Sequence, residues 1–516
     1  MMKKFPVGIQ SFKKIRENPG EFYYVDKTLF VKRLFDSGGY YFLSRPRRFG
    51  KSLFLDTLRQ AFSGNKEYFK GLYLENNWDW SESYPVIHIS FGGGVFRSLD
   101  ELLSKMESIL IDIKNDFELS YEKESLNDRF MEAIVKISRK LGQKVVVLVD
   151  EYDKPILDCI RDRDLAITLR DELRNIYSIL KDADPYLQFV FITGVSKFSK
   201  VSLFSGLNNL NDITLDQAYS TICGYTETEL QYTFKEPLQG SDSIKIREWY
   251  NGYAWMGESV YNPFDILLYL QKKQFRPFWF ETGTPRFLIE LLMQKQYEIP
   301  KLERLQLGEE IIDSFDVDNI LVETLLFQTG YLTIREVIED ILGRRTYLLD
   351  YPNMEVKSSF NRWILNYLVV DVVAKSENEN ALVKAIIEHR PHDLKHIFQS
   401  FFASIPHDWY RKNQLASYEG YYASIFYCYF AASGFNVKAE DTTNHGRIDL
   451  SLFLGKFCYL FEFKVVEDFP EGRAIDQLKG KKYHEKYQAD YKHITLIGVE
   501  FSKKDRNITG FEVCPL

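Results

Sequence analysis

Apolar residues recur along this chain in two rhythms. Short continuous runs at 40–43, 84–91, 144–149 and 188–192 alternate with longer stretches at 29–35, 53–62, 99–117, 126–141 and 171–181. In the longer stretches an apolar residue returns every three or four positions. Runs that are apolar throughout fit strands covered on both faces, and three-to-four spacing fits amphipathic helices. Their alternation predicts a parallel sheet with helices on both faces over residues 1–215. Beyond that point helical spacing dominates, at 226–234, 246–250, 265–271, 286–293, 321–330, 363–373 and 380–389. The turn Asn251-Gly252-Tyr253 and the loop 278–285 interrupt it. Residues 216–400 are therefore expected to form a mostly helical lid or winged-helix region. Proline punctuation at 391–393 and 405–408 precedes a last domain over 401–516. There an apolar helix (418–435) leads into strand-like runs at 437–440, 446–454 and 457–465, the last two joined by a turn at Gly455-Lys456. The run 457–465 has a period of two. It sets Glu462 and Lys464 on one face and Phe461 and Phe463 on the other.

Composition narrows the class. A chain of 516 residues calls for two to four domains. Its 45% hydrophobic and 16% aromatic content suits large filled cores. The five cysteines are scattered, odd in number and without a C-x-x-C pair. They read as buried apolar residues in a reducing compartment, and the cytoplasm is expected. The start Met-Met-Lys-Lys-Phe-Pro lacks a following apolar stretch, so no signal peptide is expected. No apolar run approaches ~18 residues, so no membrane partner is expected. The net charge of −7 argues against indiscriminate coating of nucleic acid. Residues 401–516 hold 15 Lys+Arg and 15 Asp+Glu, a balance of zero, so the preceding part carries all of the −7.

Candidate chemistry gathers in two places. The first is Leu43-Ser44-Arg45-Pro46-Arg47-Arg48-Phe49-Gly50-Lys51-Ser52, between a strand-like and a helix-like run. That order is what a phosphate-binding loop requires. Backbone N–H groups would point at phosphates, with Arg48 and Gly50 at the turn. Lys51 would meet the β and γ phosphates, and the Ser52 hydroxyl would ligate Mg²⁺. The general pattern has glycine where this chain has Arg45, and a basic turn before an amphipathic helix is the plain alternative. A second segment, 144–151, is a buried-strand run ending in Asp150 and Glu151. Asp150 could hold Mg²⁺ through water, and Glu151 could orient and deprotonate the attacking water. A strand stopping at a charged cap is the plainer reading of that segment alone. Thr193, at the end of the run 188–193, could sense a γ-phosphate. Tyr23 and Tyr24 could stack on a base or could be core residues.

The second place is the tail. Asp449 lies 13 positions before Glu462, on the neighbouring run of a hairpin. Asp449 and Glu462 are hard oxygen ligands for Mg²⁺, and Lys464 could orient water or neutralise a transition state. Glu419 could add a carboxylate ligand. Gln477 sits in a following helix whose Lys481 and Lys482 could meet a phosphate backbone. The plain alternative is a solvated strand face carrying an acid and a base.

These stretches together resemble a family of bacterial proteins in which an AAA-like ATPase domain precedes a PD-(D/E)XK nuclease-like domain. The resemblance rests on Tyr24-Val25-Asp26-Lys27-Thr28, Arg45-Pro46-Arg47-Arg48-Phe49-Gly50-Lys51-Ser52, Val149-Asp150-Glu151-Tyr152-Asp153-Lys154-Pro155, Trp249-Tyr250-Asn251-Gly252-Tyr253 and Asp449…Glu462-Phe463-Lys464. It spans nearly the whole chain. Arg-Pro-Arg-Arg-Phe-Gly-Lys-Ser is the family's own form of the phosphate loop. The resemblance implies an α/β architecture: an AAA-like P-loop parallel sheet (1–215), a helical lid or winged-helix-like middle (216–400) and a restriction-endonuclease-like α/β domain (401–516). It implies ATP and Mg²⁺ as cofactors and nucleic acid, DNA foremost, as the partner of the last domain. A homo-oligomer is compatible with it. Two readings follow. One is an ATP-hydrolysing protein coupled to a Mg²⁺-dependent nuclease serving DNA processing or defence. The other is a nucleotide-switched binding protein whose nuclease-like domain does not cut. Arg47, Arg48, Arg170 and Arg174 stay open as the source of an arginine finger.

Overall fold

The computed structural model describes residues 3–198, 203–204, 207, 209–282, 286–295, 297–312, 317–368, 372–405 and 419–516. The punctuation expected at 406–408 lies outside them. The chain divides into two compact units. One joins Met1–Thr282 to Gln306–Asn353, and the other joins Gly283–Leu305 to Met354–Leu516. No helix among the described residues is long and apolar enough to cross a membrane.

The first unit is built on five parallel strands. These are β1 (Gly39–Ser44), β2 (Val86–Ser90), β3 (Val145–Asp150), β4 (Leu187–Gly194) and β5 (Leu210–Asp212), in the order β2-β3-β4-β1-β5. Every residue of β3 is buried, as a strand covered on both faces requires. The order inserts β4 between β1 and β3, so residues distant in sequence share one C-terminal edge. That edge is where open α/β sheets bind ligands. The helix Lys51–Phe62 follows β1 directly, with Gly50 at its N-cap in the left-handed region (φ +91°). Expected strands at 40–43, 84–91, 144–149 and 188–192 all appear within a residue or two.

The middle stretch departs from the helical expectation. A three-stranded sheet, β6 (Leu305–Gly308), β7 (Thr333–Glu339) and β8 (Arg345–Asp350), accompanies its helices. The β7–β8 hairpin turns at Gly343, whose φ of +77° needs a glycine. The β-branched residues Thr333, Ile334, Val337 and Ile338 gave the strand signal, masked by the interleaved charges.

The second unit carries β9 (Asn436–Thr443), β10 (Gly446–Leu454), β11 (Phe457–Val466), β12 (His493–Ser502) and β13 (Asn507–Pro515), ordered β13-β12-β11-β10-β9. β11 and β12 are parallel and the other pairs antiparallel. A parallel pair needs a crossover, and the helix Arg473–Gly480 lies in it. One face of β11 turns Phe461 and Phe463 to Phe426 of the helix Glu419–Ala432, with ring centroids 6.1 and 4.9 Å apart. That helix is buried along nearly its whole length, which is why its sequence is apolar all round. Each buried phenylalanine there contributes roughly 1.5–3 kcal/mol. The opposite face receives the helix Arg473–Gly480. Gly498 of β12 allows the approach, because a Cβ there would stand 2.5 Å from the Ile475 nitrogen.

Candidate functional site

Residues 45–50 cross from β1 to the helix Lys51–Phe62. The loop has few glycines, and side chains hold its shape instead. Arg45 is fully buried and donates to the carbonyls of Ser44 and Thr214 (both 2.8 Å) and of Tyr219 (3.3 Å). Its guanidinium stacks on Trp255 at 4.2 Å, and burial lowers its pKa to about 10. Arg45 is therefore a brace rather than a phosphate contact. Phe49 packs between Tyr253 and Trp255 at 4.7 and 5.3 Å. The Asn251-Gly252-Tyr253 turn thus serves the loop. Arg48 occupies the left-handed region (φ +69°) and lies over the Phe264 ring at 4.9 Å. Such backbone strain in a non-glycine residue collects at ligand-binding loops.

Lys51 is buried, and its Nζ donates to the carbonyls of Arg45 (2.8 Å) and Pro46 (2.9 Å). Burial lowers its pKa, while Asp150, the strongest of its charged neighbours, raises it. The two sequence segments about 100 residues apart therefore share one electrostatic site. Ser52, in the first helical turn, is half-buried. Asp150 is buried, and among the described residues its Oδ1 has no hydrogen-bond partner. Glu151 sits in the left-handed region (φ +52°), and burial, followed by Asp150, raises its pKa. A carboxylate oxygen without a donor, facing a lysine and a helix N-terminus, fits a cation-bound polyphosphate.

Thr193 is fully buried at the end of β4, and its hydroxyl donates to the Leu43 carbonyl at 2.9 Å, which ties β4 to β1. Asp153, not singled out from the sequence, holds the end of β4. It accepts from the Val195 and Ser196 amides at 3.1 and 2.6 Å. Tyr23 packs between Phe5 and Phe234, each at 5.2 Å, as a core residue does. Tyr23 and Tyr24 nevertheless also line a small cavity of about 60 Å³ with Lys27, Gly50, Leu53 and Cys223.

In the second unit, β10 and β11 pair Leu450 with Phe461, so Asp449 comes next in register, opposite Glu462. Asp449 Oδ2 accepts from the Phe463 amide at 2.8 Å. Glu462 is 1% exposed. Its Oε1 accepts from Lys464 Nζ at 3.2 Å and from Gln477 Nε2. Its Oε2 has no partner among the described residues. Burial and then Asp449 push the Glu462 carboxyl up to about 8, and burial lifts Asp449 to about 6. Two acids crowded against each other, with one oxygen left without a donor, fit a divalent cation.

Glu419 lies at the same place: its carboxylate meets Lys464 Nζ (3.6 Å) and the Val465 amide (3.4 Å), and its charge is felt by Asp449 and Glu462. No group of three or more His, Cys, Asp or Glu among the described residues is gathered as a ready-made metal cage. Asp449 and Glu462 are the acids that could hold a cation, and Glu419 stands beside them.

Sequence reasoning missed two contributors. Tyr483 is buried with its hydroxyl beside Gly446, where a Cβ would stand 2.8 Å away. Burial raises its pKa, and its hydroxyl feels the charges of Glu462, Asp449 and Lys464. The lone signal was a tyrosine six residues after Gln477. Glu500 of β12 is buried and accepts from the backbone amides of Glu471 (2.6 Å), Gly472 (3.1 Å), Arg473 (2.6 Å) and Ala474 (3.4 Å). It caps the helix that carries Gln477 to Glu462. Glu500→Gln would aim an amide NH₂ at those donors. We expect a loss of about 2 kcal/mol in stability, read as a lower urea midpoint at unchanged m.

Known proteins place these features. The family described as "Predicted AAA-ATPase" matches residues 6–204, and that described as "PD-(D/E)XK nuclease superfamily" matches residues 417–511. An uncharacterized protein in the vnfD 5' region of Azotobacter chroococcum mcd 1 is 50% identical over 511 residues, covering 99% of each chain. Among solved structures, the Aeropyrum pernix ORC1 protein in complex with DNA aligns over 68% of this chain and 96% of its own, at 9% identity and a TM-score of 0.27. That likeness is too low to carry an argument. The sheet order, the loop and the two matched segments agree: this chain belongs to a family of bacterial proteins that join an AAA-ATPase-like domain to a C-terminal PD-(D/E)XK nuclease-like domain.

Proposed function

We propose that this chain hydrolyses ATP at Lys51, Ser52, Asp150 and Glu151, and that turnover controls a Mg²⁺-dependent nuclease centred on Asp449, Glu462 and Lys464. Its parts run as an ATPase core (1–215), a lid or middle region (216–400) and a nuclease-like domain (401–516), acting in the cytoplasm on nucleic acid, DNA foremost. The observation that carries the reading is Glu462. It is a buried carboxylate with one oxygen lacking a donor, Asp449 beside it, and Lys464 and Gln477 on its other oxygen.

Mg²⁺ bound by Asp449 and Glu462 would stabilise charge on the scissile phosphate and acidify water. Lys464 orients that water and offsets charge as the bond to phosphorus forms. At the other site, Ser52 and Asp150 would hold the cation of the nucleotide, Lys51 would meet the phosphates and Glu151 would take the proton of the attacking water. The cavity near Gly50, at about 60 Å³, is far below the ~300–1,000 Å³ of ordinary small-ligand sites. Admitting a base there would require lining side chains to move.

The test uses the purified full chain with supercoiled, linear and single-stranded DNA and with RNA. Mg²⁺, with and without ATP, is compared with Ca²⁺. Strand cleavage with Mg²⁺ that ATP alters and Ca²⁺ fails to support is expected. Tight ATP binding without phosphate release, and no cut in any substrate, would instead favour a nucleotide-switched binder with a non-cutting domain. The balance of 15 basic and 15 acidic residues over 401–516 is the observation on that side.

A further inference from the structure

Nucleotide hydrolysis by a sheet of this kind calls for a cation at the terminal phosphate besides the loop lysine. Lys51 already has its Nζ on two loop carbonyls. Arg45 is buried under Trp255. Arg48 lies over Phe264. Arg170 is paired with Asp171 and Asp318, and Arg174 with Asp171. Arg47 differs from all of these. Its side chain is exposed and makes no hydrogen bond, ion pair or ring contact among the described residues.

The backbone of Arg47 is fixed although its side chain is not. Its carbonyl accepts from Trp279 Nε1 at 3.0 Å. The preceding Pro46 lies against Gly330, where a Cβ would come within 2.8 Å of the proline ring. Gly330 is in the left-handed region (φ +91°), so that contact depends on glycine. Trp279 in turn packs on Tyr331 at 5.3 Å. The positive charge of Arg47 is felt by two groups at this edge, Glu151 and Tyr331. A long, exposed cation thus rises from a pinned point of the same loop that carries Lys51 and Ser52.

We propose that Arg47 is a catalytic residue of this hydrolysis, its guanidinium reaching the terminal phosphate from within the phosphate loop itself. The inference rests on the hydrolytic reading above. In the step, the water oxygen bonds to the γ-phosphorus and one water proton passes to Glu151. The bond from the γ-phosphorus to the β–γ bridging oxygen breaks, its electron pair leaving with ADP. Arg47 offsets the charge that spreads over the γ-oxygens. An arginine supplied in this way needs no second chain, unlike one delivered by a neighbour in an oligomer.

The experiment compares the wild type, R47A and R47K as full chains, reading ATP affinity, the turnover number and the affinity for ADP–aluminium fluoride. R47A is expected to bind ATP within a few-fold of the wild type and to lose turnover on the order of 10³-fold. Affinity for the fluoride complex should fall in parallel. R47K should not restore turnover, because lysine lacks the planar two-pronged donor. Dilution should leave turnover per chain unchanged. If the wild type turns over ATP and R47A matches it in turnover and fluoride binding, Arg47 is not catalytic. If the wild type binds ATP but never releases phosphate, the hydrolytic reading itself falls, and this inference with it.

Discussion

Glu462→Ala is expected to lower strand cleavage by at least about 10²–10³-fold while leaving ATP binding as it was. Glu462 is the most buried acid of the tail site and organises the rest of it. Through Oε1 it holds Lys464 and Gln477, and through Oε2 it would meet the metal. Asp449 cannot replace it, because its Oδ2 is already committed to the Phe463 amide at 2.8 Å.

The same pair predicts a pH dependence. Glu462 is pushed up to about 8 and Asp449 to about 6, both above the unfolded carboxylate range. An acid raised in the fold destabilises it once ionised. The cost is absent below about pH 4, grows as pH rises and is complete above the folded value. Without metal, the wild type should therefore lose stability between about pH 5 and 8, and Glu462→Gln should lose less. Mn²⁺ affinity should rise over the same window, with proton release on binding. Urea midpoints in a chelator and calorimetric titration at several pH values read both effects. Parallel midpoint curves for the two proteins, or Mn²⁺ binding indifferent to pH, would remove the metal assignment.

The second large effect concerns Lys51→Ala, expected to cost ATP affinity on the order of 100-fold or more. Charge-assisted hydrogen bonds contribute about 1.5–3 kcal/mol each, and 1.4 kcal/mol is tenfold in affinity. Lys51 has two tasks. It closes the loop through the Arg45 and Pro46 carbonyls (2.8 and 2.9 Å), and it places a positive charge against Asp150. Alanine would remove the cation and leave both carbonyls without a donor. ATP should raise the melting temperature of the wild type and leave that of the variant nearly unmoved. Equal shifts in both would mean that the nucleotide binds elsewhere.

Arg45 illustrates how a loop can depart from the general glycine pattern and keep its place. Where others use a bare backbone, this loop uses side chains: Arg45 on Trp255, and Phe49 between Tyr253 and Trp255. Those partners lie about 200 residues further along, so the substitution reads as a defect until the fold is known. Thr193 shows the converse. A hydroxyl at a strand end next to the loop looks like a phosphate sensor, yet its neighbour in space is the Leu43 carbonyl.

By itself, the sequence determined what depends on local period. Alternation of two put Phe461 and Phe463 opposite Glu462 and Lys464. Continuous apolar runs marked β1, β3 and β4, and the strand-to-helix junction marked the loop from Arg45 to Ser52. Side-chain direction repeats every two or 3.6 residues, so neighbours in the chain suffice to read it. The tertiary structure alone decided which distant groups meet. It set β4 between β1 and β3, brought Glu500 onto the helix of Gln477, and carried Tyr483 to the acids. It also turned Glu419 to Lys464 and left the Arg47 side chain without a hydrogen bond, ion pair or ring contact among the described residues. Such meetings follow from crossovers and chain closure over tens to hundreds of residues, and no local rhythm encodes them.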